Sequence, residues 1–267
     1  MAADYHASMA PRETSAKRLE AAEAANARAC MGTHPEDAVL EVAGGIAVFT
    51  GAESPLTHAA GIGMSGPVSP AELDTLEEFF RSRGARPVVE LCPFADPGLL
   101  PQLADRAYHL TEFNNVLARR LAGLELVLTP RVRRAMPDET ELWSYTVGCG
   151  FFETDDLTTE EMDVGRAICA MPRAMTYLAA SGQGTPAGGA AMAIHDGLAV
   201  LFADSTLPDF RRQGLHRELI AARLNEALAQ SCDLAMASAA PGSVSQRNYE
   251  RLGFQVVYTR VTLAGVV

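Results

Sequence analysis

The stretch "STLPDFRRQGLHRELIAARL", from Ser205 to Leu224, decides the fold because a strand-like segment here runs into a helix. The first N–H groups of a helix have no partner inside it and, together with the helix dipole, they form a site for anions. Two cations, Arg211 and Arg212, stand at this end, where the dipole disfavours positive charge. A bound pyrophosphate would account for the arginines and for Gly214, which lets a ligand approach the backbone.

A plainer interpretation of this helix start is also open. Basic residues are common in loops, and the two arginines could pair with Asp209 or Glu218 at a solvated helix end. Spacing alone does not choose between a pyrophosphate site and a solvated start.

Composition and charge indicate a globular protein of one large domain or two medium ones. The chain has 267 residues, 48% hydrophobic and 21% charged. A formal net charge of -11 argues against nucleic acid as a partner. No segment approaches the ~20 apolar residues of a membrane helix, and the N-terminus lacks a signal-type apolar core. We therefore expect no membrane partner and a cytoplasmic location. The five cysteines lack metal-ligand spacing, so we expect reduced thiols and no metal site.

The order of the predicted elements suggests two domains of similar build. Both halves run helix, antiparallel strands, helix, strand, helix, strand. This order predicts an α+β fold with a mixed, mostly antiparallel sheet flanked by helices in each domain. The division falls near residue 123, giving domains of 1–123 and 124–267, and the absence of a flexible linker predicts that they pack together.

Local patterns predict where individual elements begin. Ser69 followed by proline predicts a helix start, and Thr158 with Glu161 forms a capping box. The segment 11–30 predicts a helix, and "LELVLTPRVRRA" (124–135) predicts a strand.

Two motifs resemble the GNAT acyltransferase superfamily. "PDFRRQGLH" resembles its acyl-CoA loop, Gln/Arg-x-x-Gly-x-Gly/Ala, with Arg211 and Gly214 in the first two fixed positions. His216 departs from the pattern, where glycine or alanine is usual. "NYERLGF" resembles a second signature, with Tyr249 four residues before Gly253 and the phenylalanine that follows it.

The resemblance implies a fold, a cofactor and an activity. It covers roughly residues 124–262 and implies an N-acyltransferase that moves an acetyl group from acetyl-CoA directly to an amine, on a small molecule or a peptide. The first half has no Arg-x-x-Gly, so it would be a degenerate GNAT-like domain without the acyl-CoA loop. A homodimer is possible. The alternative is a non-catalytic acyl-CoA-binding or regulatory protein, which His216 and the absence of an obvious base keep open.

The resemblance also assigns the cofactor to the strand end, the loop and the helix start. The backbone of 212–216, with Arg211, would hold the pyrophosphate, and the strand end would bind the pantetheine arm. A backbone N–H among 202–205 would donate to the thioester oxygen. The expected cofactor-binding residues are Ser205, Thr206, Leu207, Arg211, Arg212, Gln213, Gly214, Leu215 and His216.

Catalytic roles are less determined by the sequence. Tyr249 resembles the family's usual acid, a phenol that protonates the leaving thiolate, and its alternative role is to pack on the sheet. Asp204, Glu153 or water could accept the proton of the amine. The acidic segment 151–163 either favours a cationic acceptor or only begins a helix.

Overall fold

The computed structural model describes residues 2–32, 34–126 and 129–266. Contacts divide the chain into two compact units, Met1–Val116 with Val256–Val267, and Leu117–Gln255. The expected division near residue 123 assigns the whole C-terminal segment to the second half. The structure differs there, because the last strand pairs from residue 261 onward with a strand of the first unit.

The first unit is built on a sheet covered by helices. Its sheet has the order β1-β2-β3-β4-β11-β5. The pairs β1–β2, β2–β3 and β4–β11 are antiparallel, and β3–β4 is parallel. Its elements, two of which extend into the second unit, are α1 (Ala2–Ala29), β1 (Ala38–Val42), β2 (Gly45–Phe49), β3 (His58–Ala60), α2 (Pro70–Arg81), β4 (Val88–Leu91), α3 (Leu99–Asp105), β5 (His109–Arg120) and β11 (Gln255–Ala264).

The first unit buries its own apolar core between α2, α3 and the sheet. The predicted cap is present at the start of α2, where the Ser69 side chain accepts from the N–H of Glu72 and the Glu72 side chain accepts from the N–H of Ser69. This reciprocal pair satisfies two of the amides that a helix start leaves without partners.

The second unit has the sheet order β10-β9-β8-β7-β6. All its pairs are antiparallel except β9 with β10. Its elements are β6 (Val132–Arg134), a 3-10 turn (Pro137–Glu139), α4 (Thr140–Phe152), α5 (Thr159–Ala170), β7 (Met175–Ala180), β8 (Pro186–His195), β9 (Leu198–Thr206), a 3-10 turn (Pro208–Phe210), α6 (Leu215–Ala229), β10 (Leu234–Ala239) and α7 (Val244–Arg251).

Helix α6 lies in the core of the second unit. Leu219, Ile220 and Leu224 of this helix are fully buried among the side chains of the sheet. Arg223 is buried to the same degree, which an arginine tolerates only when its donors are paired. Helix α6 therefore contributes both apolar side chains and one buried charge to this core.

Several predicted elements differ in length. Helix α1 begins before the expected residue 11, and β6 is much shorter than the predicted strand 124–135, of which residues 127–128 lie outside the described residues. The capping box of Thr158 and Glu161 opens α5 as predicted. The α+β class with mostly antiparallel sheets flanked by helices is confirmed. Within the described residues no helix combines the length and apolarity needed to cross a membrane.

Candidate active site

The site begins at an irregularity in β9. Gly189 of β8 pairs with Ser205, while Ala191 pairs with Phe202, so two residues of β9 stand opposite one residue of β8. Ala203 at this bulge has a φ of 54°, in the left-handed region. A bulge interrupts the ladder and redirects backbone groups. The backbone of 202–205, expected to supply a donor, therefore departs here from regular strand geometry.

Beyond the bulge, β9 also loses its neighbour on the other side. In the part of the chain that the structure describes, the parallel pairing of β9 with β10 ends at Leu201 and Ala237. Residues 202–206 continue past this point without a β10 partner. An edge of strand is thus available to a ligand beside the bulge.

The loop after β9 presents the start of α6. Gly214 caps the helix with a φ of 85° and without a side-chain hydrogen bond. Arg212 also has a left-handed φ, 64°. Among the hydrogen bonds of the described residues, none uses the N–H of any residue from 212 to 217. Uncapped amides at a helix start are the donors that the predicted anion site requires.

These features surround one cavity of about 730 Å³. Four segments line it, namely the end of α4, the end of β9, the loop into α6 and the start of α7. Its lining residues are Gly150, Phe151, Glu153, Asp204, Ser205, Thr206, Phe210, Arg211, Arg212, Gly214, Leu215, His216, Arg217, Val244, Ser245, Asn248 and Arg251.

Arg211 is held by three acceptors of the protein. Its Nη1 lies 2.7 Å from Oε1 of Glu153, its Nη2 donates to the carbonyl of Gly150 at 3.1 Å, and its Nε donates to the carbonyl of Thr206 at 3.2 Å. The alternative pairing with Asp209 or Glu218 is not made, and Glu218 binds Arg131 instead. Arg211 therefore ties the end of α4 to the loop.

Other arginines give the cavity its positive charge. Arg212 and Arg217 line it and make no ion pair or side-chain hydrogen bond among the described residues. Arg251 of α7 lines it too, and its Nη1 donates to Oδ1 of Asn248 at 3.1 Å. With Arg211, four guanidinium groups face two carboxylates, so this region is cationic in a chain of formal charge -11. Fork-shaped guanidinium donors suit phosphate oxygens.

Asp204 is the centre of a buried polar cluster at the inner end of the cavity. Its carboxylate forms an ion pair with Arg223, which also donates to the carbonyls of Leu219 and Ala191 at 3.1 and 2.9 Å. The hydroxyl of Tyr249 donates to Oδ2 of Asp204 at 2.6 Å. Asp204 therefore satisfies two buried donors from two helices.

Burial and charge set the proton affinities of this cluster. Burial by itself would raise the pKa of Asp204, but the charge of Arg223 and the donors around the carboxylate hold that pKa well below its usual range. Burial raises the pKa of Tyr249 well above its usual value, and the Asp204 carboxylate adds to the effect. At neutral pH Asp204 is thus an anion that takes up a proton poorly, and Tyr249 keeps its proton.

The side chain of His216 turns toward this cluster. Its Nε2 lies 3.2 Å from Oδ1 of Asp204, and its Nδ1 lies 3.0 Å from Nδ2 of Asn248. The ring also packs edge-on against Tyr249, with centroids 5.7 Å apart. Both ring nitrogens therefore face protein groups.

The structure brings most of the sequence-predicted residues to the cavity wall, but Leu207, Gln213 and Tyr249 do not line it. The hydroxyl of Ser205 donates to the carbonyl of Val147, and the N–H of Leu207 donates to the carbonyl of Ala187. Leu215 is buried, and Gln213 is exposed. Glu153, the candidate base, lies at the rim in its pair with Arg211.

Sequence reasoning missed four residues of the site. Three of them line the cavity, namely Arg217, Asn248 and Arg251. The fourth, Arg223, forms the ion pair with Asp204. A signal existed for Arg223, because it stands on the apolar face of α6 between residues that are otherwise hydrophobic. No local pattern marked the other three.

Comparison with known proteins agrees with this geometry. Residues 140–254 match the model of the acetyltransferase (GNAT) family. These residues contain α4, the bulged strand, the loop, α6 and α7. The match covers the segment that carries both sequence motifs and confirms the resemblance drawn from them.

Solved structures are similar over both units. A GCN5-related N-acetyltransferase from Kribbella flavida has a TM-score of 0.70 at 22% identity, covering 94% of this chain and 95% of that one. A tandem GNAT protein from the clavulanic acid biosynthesis pathway has a TM-score of 0.59 at 17% identity, covering 86% and 83%. A GCN5-related N-acetyltransferase from Sphaerobacter thermophilus has a TM-score of 0.57 at 13% identity, covering 85% and 75%. At these identities the likeness concerns the fold, and the curated protein sequences contain no match to this chain.

Proposed function

We propose that this protein is an N-acetyltransferase that takes an acetyl group from acetyl-CoA and gives it to the amine of a small molecule or peptide. One observation carries the proposal. The uncapped start of α6 faces the same cavity as the bulged end of β9, and so do Arg212 and Arg217, which have no acceptor among the described residues. Such a cavity suits a ligand that carries a polyphosphate, because the helix start and the redirected backbone of the strand edge lie side by side.

The residues of this cavity fit acyl-CoA. The amides of 212–217 and the guanidinium groups of Arg212, Arg217 and Arg251 would hold phosphates, because they are the donors that lack a carboxylate partner. Arg211 would act on the cofactor mainly by shaping the loop, since each of its three guanidinium nitrogens already has a protein acceptor. Thr206 at the cavity wall would face the pantetheine arm.

Acyl-CoA, when bound, would supply the acyl group, and its coenzyme A part would leave as a thiolate that takes up a proton. A backbone N–H at the bulge, within 202–205, would stabilise the oxyanion that forms on the carbonyl. Tyr249 would donate the proton to the thiolate, since it is the group of this cluster that keeps a proton at neutral pH. Water would accept the proton of the amine, because Asp204 takes up a proton poorly and Glu153 is paired with Arg211.

A direct assay tests the proposal. Wild-type protein would be incubated with acetyl-CoA and a panel of amines, and free thiol release and acetylated product would both be measured. We expect product with at least one amine, and loss of turnover at limiting acetyl-CoA in Arg212→Glu. Acetyl-CoA that binds tightly but yields neither thiol nor product with any amine would contradict the enzymatic role.

A second function follows from the state of Asp204. The carboxylate nearest the cavity is engaged by Arg223 and Tyr249, so no unengaged base stands at the site among the described residues. This arrangement supports a protein that binds acyl-CoA without transferring its acyl group. Binding without thiol release, in the same assay, would favour this function.

A further inference from the structure

A continuous chain of side-chain contacts leads from the cavity to the buried phenol. Arg251 donates to Oδ1 of Asn248 at 3.1 Å, and Nδ2 of Asn248 lies 3.0 Å from Nδ1 of His216. Nε2 of His216 lies 3.2 Å from Oδ1 of Asp204, whose other oxygen accepts from Tyr249 at 2.6 Å. Arg251 lies at the exposed end of this chain, and Tyr249 at the buried end.

The first two contacts determine where His216 carries its proton. A guanidinium can only donate, so Arg251 requires the oxygen of the Asn248 amide to face it. The NH₂ group of Asn248 then faces Nδ1 of His216, which must accept. The imidazole proton is therefore on Nε2, the nitrogen that faces Asp204.

The last contacts connect this imidazole to Tyr249 through a shared carboxylate. Oδ1 of Asp204 is next to His216, and Oδ2 accepts from Tyr249. A positive charge on His216 would offset the negative charge that holds the phenol proton, so Tyr249 would release it more readily. The charged or titratable groups that line the cavity with His216, contact its ring or pair with Asp204 are Asp204 of β9, Arg217 and Arg223 of α6, Tyr249 and Arg251 of α7, Arg211 and Arg212 of the loop, and Glu153 of α4.

We propose that His216 is a positioning residue for Tyr249, acting through Asp204, and that Asn248 and Arg251 set its state from the cavity. The inference rests on the proposed function, because it concerns the proton that the phenol would donate. A phosphate that binds Arg251 frees Asn248 to turn its oxygen toward Nδ1, which lets His216 accept a second proton. Binding of the cofactor thereby prepares Tyr249 to act as an acid.

The first test compares the pH dependence of turnover in wild type and His216→Gln. Taking the ratio of the two kcat values at each pH cancels the titration of the amine acceptor. We expect a ratio of about tenfold at low pH that falls as pH rises, with the KM for acetyl-CoA changed by less than about threefold. A ratio that stays constant across the pH range contradicts the positioning role.

A second variant changes the partner of His216 instead. In Asn248→Asp a carboxylate still pairs with Arg251 but can also accept a hydrogen bond from an Nδ1–H, which favours the doubly protonated imidazole. We expect the pH-dependent change in kcat to move upward by about one pH unit. An unchanged profile in this variant argues against Asn248 as the residue that sets the state of His216.

A third measurement is independent of turnover. Proton–nitrogen NMR of the six histidines, with the His216 signals identified by their loss in His216→Gln, reports the tautomer. We expect the Nε2–H form in the free protein and a change toward the doubly protonated form when coenzyme A alone is added. An Nδ1–H form, or no response to coenzyme A, overturns the proposal. An inactive wild-type protein with the expected NMR response contradicts the proposed function and leaves the coupling supported.

Discussion

Tyr249 donates its hydroxyl proton to Oδ2 of Asp204 across 2.6 Å. The phenol is only 1% exposed, and Asp204 and His216 line the cavity where Tyr249 does not. The residue in the family's acid position is therefore attached to a buried ion pair rather than open to solvent. The proposed catalytic role of Tyr249 and the stability of the second unit would therefore involve the same carboxylate.

Tyr249→Phe tests whether this phenol takes part in the reaction. The phenyl ring keeps the packing against Phe254, but the proton is lost. We expect kcat to fall by about 10²–10⁴, the usual value of an acid catalyst, with little change in the dissociation constant of acetyl-CoA. Steady-state kinetics and calorimetry measure the two quantities.

A matched control for that variant exists in the same unit. Tyr177 is buried like Tyr249, burial raises its pKa to about 12, and its hydroxyl has no hydrogen-bond partner among the described residues. Tyr177→Phe removes a buried phenol without removing a proton donor to Asp204, so turnover should be retained. Equal losses in the two variants would assign the effect to packing.

Asp204→Asn should destabilise the second unit. The amide cannot neutralise Arg223, whose side chain is fully buried. Breaking a buried pair by removing one partner costs about 3–5 kcal/mol. Urea unfolding followed by Trp143, the single tryptophan and a buried residue of this unit, measures the loss. Asp209→Asn, at an exposed position, is the control and should unfold like wild type.

The stability difference between wild type and Asp204→Asn should depend on pH with a defined sign. The folded state lowers the pKa of Asp204, so the unfolded state binds more protons at acidic pH. The contribution is complete above the ordinary aspartate pKa of about 3.9 and is lost as pH falls through the lower folded value. The free energy of unfolding, measured between neutral and acidic pH, should therefore converge for the two proteins at low pH. A difference in the free energy of unfolding that grows on acidification would contradict this prediction.

Gly150→Ala tests the close approach of α4 to β9 at the cavity wall. An added Cβ would lie 2.2 Å from Oγ of Ser205 and 3.0 Å from the carbonyl carbon of Thr206. Relief requires a shift of backbone, so we expect a loss of about 1–3 kcal/mol in unfolding free energy and weaker acetyl-CoA binding. Gly182→Ala, where nothing lies within 4 Å, should change neither.

Local chemistry explains which parts of the fold were predictable. The caps at Ser69 and Thr158 depend on residues three positions apart, and both are present. The helix start at Gly214 was likewise visible in its own sequence. The boundary between the two units was harder to predict. Residues 261–264 join the first unit by pairing with β4, which lies far away in the sequence.

The polar contacts of the site could not be predicted for the same reason. The pairs Arg211–Glu153 and Tyr249–Asp204 join residues 58 and 45 positions apart. These pairs form because α4, β9 and α7 come together in the fold. The sequence pattern of a single element does not contain that information. The motif predicted that Arg211 helps to hold the pyrophosphate, which stays a prediction, and its guanidinium contacts also hold the loop.

The central claim is that the arginine-lined cavity binds acyl-CoA, and calorimetric titration of the full chain with acetyl-CoA tests it most directly. Wild type should bind one molecule per chain. Arg212→Glu should weaken binding by roughly tenfold or more, because it places a negative charge beside phosphates. Arg133→Glu, an exposed charge reversal in the ion pair with Glu139, should bind like wild type. Absence of binding to wild type, or equal affinity in wild type and Arg212→Glu, would contradict the account.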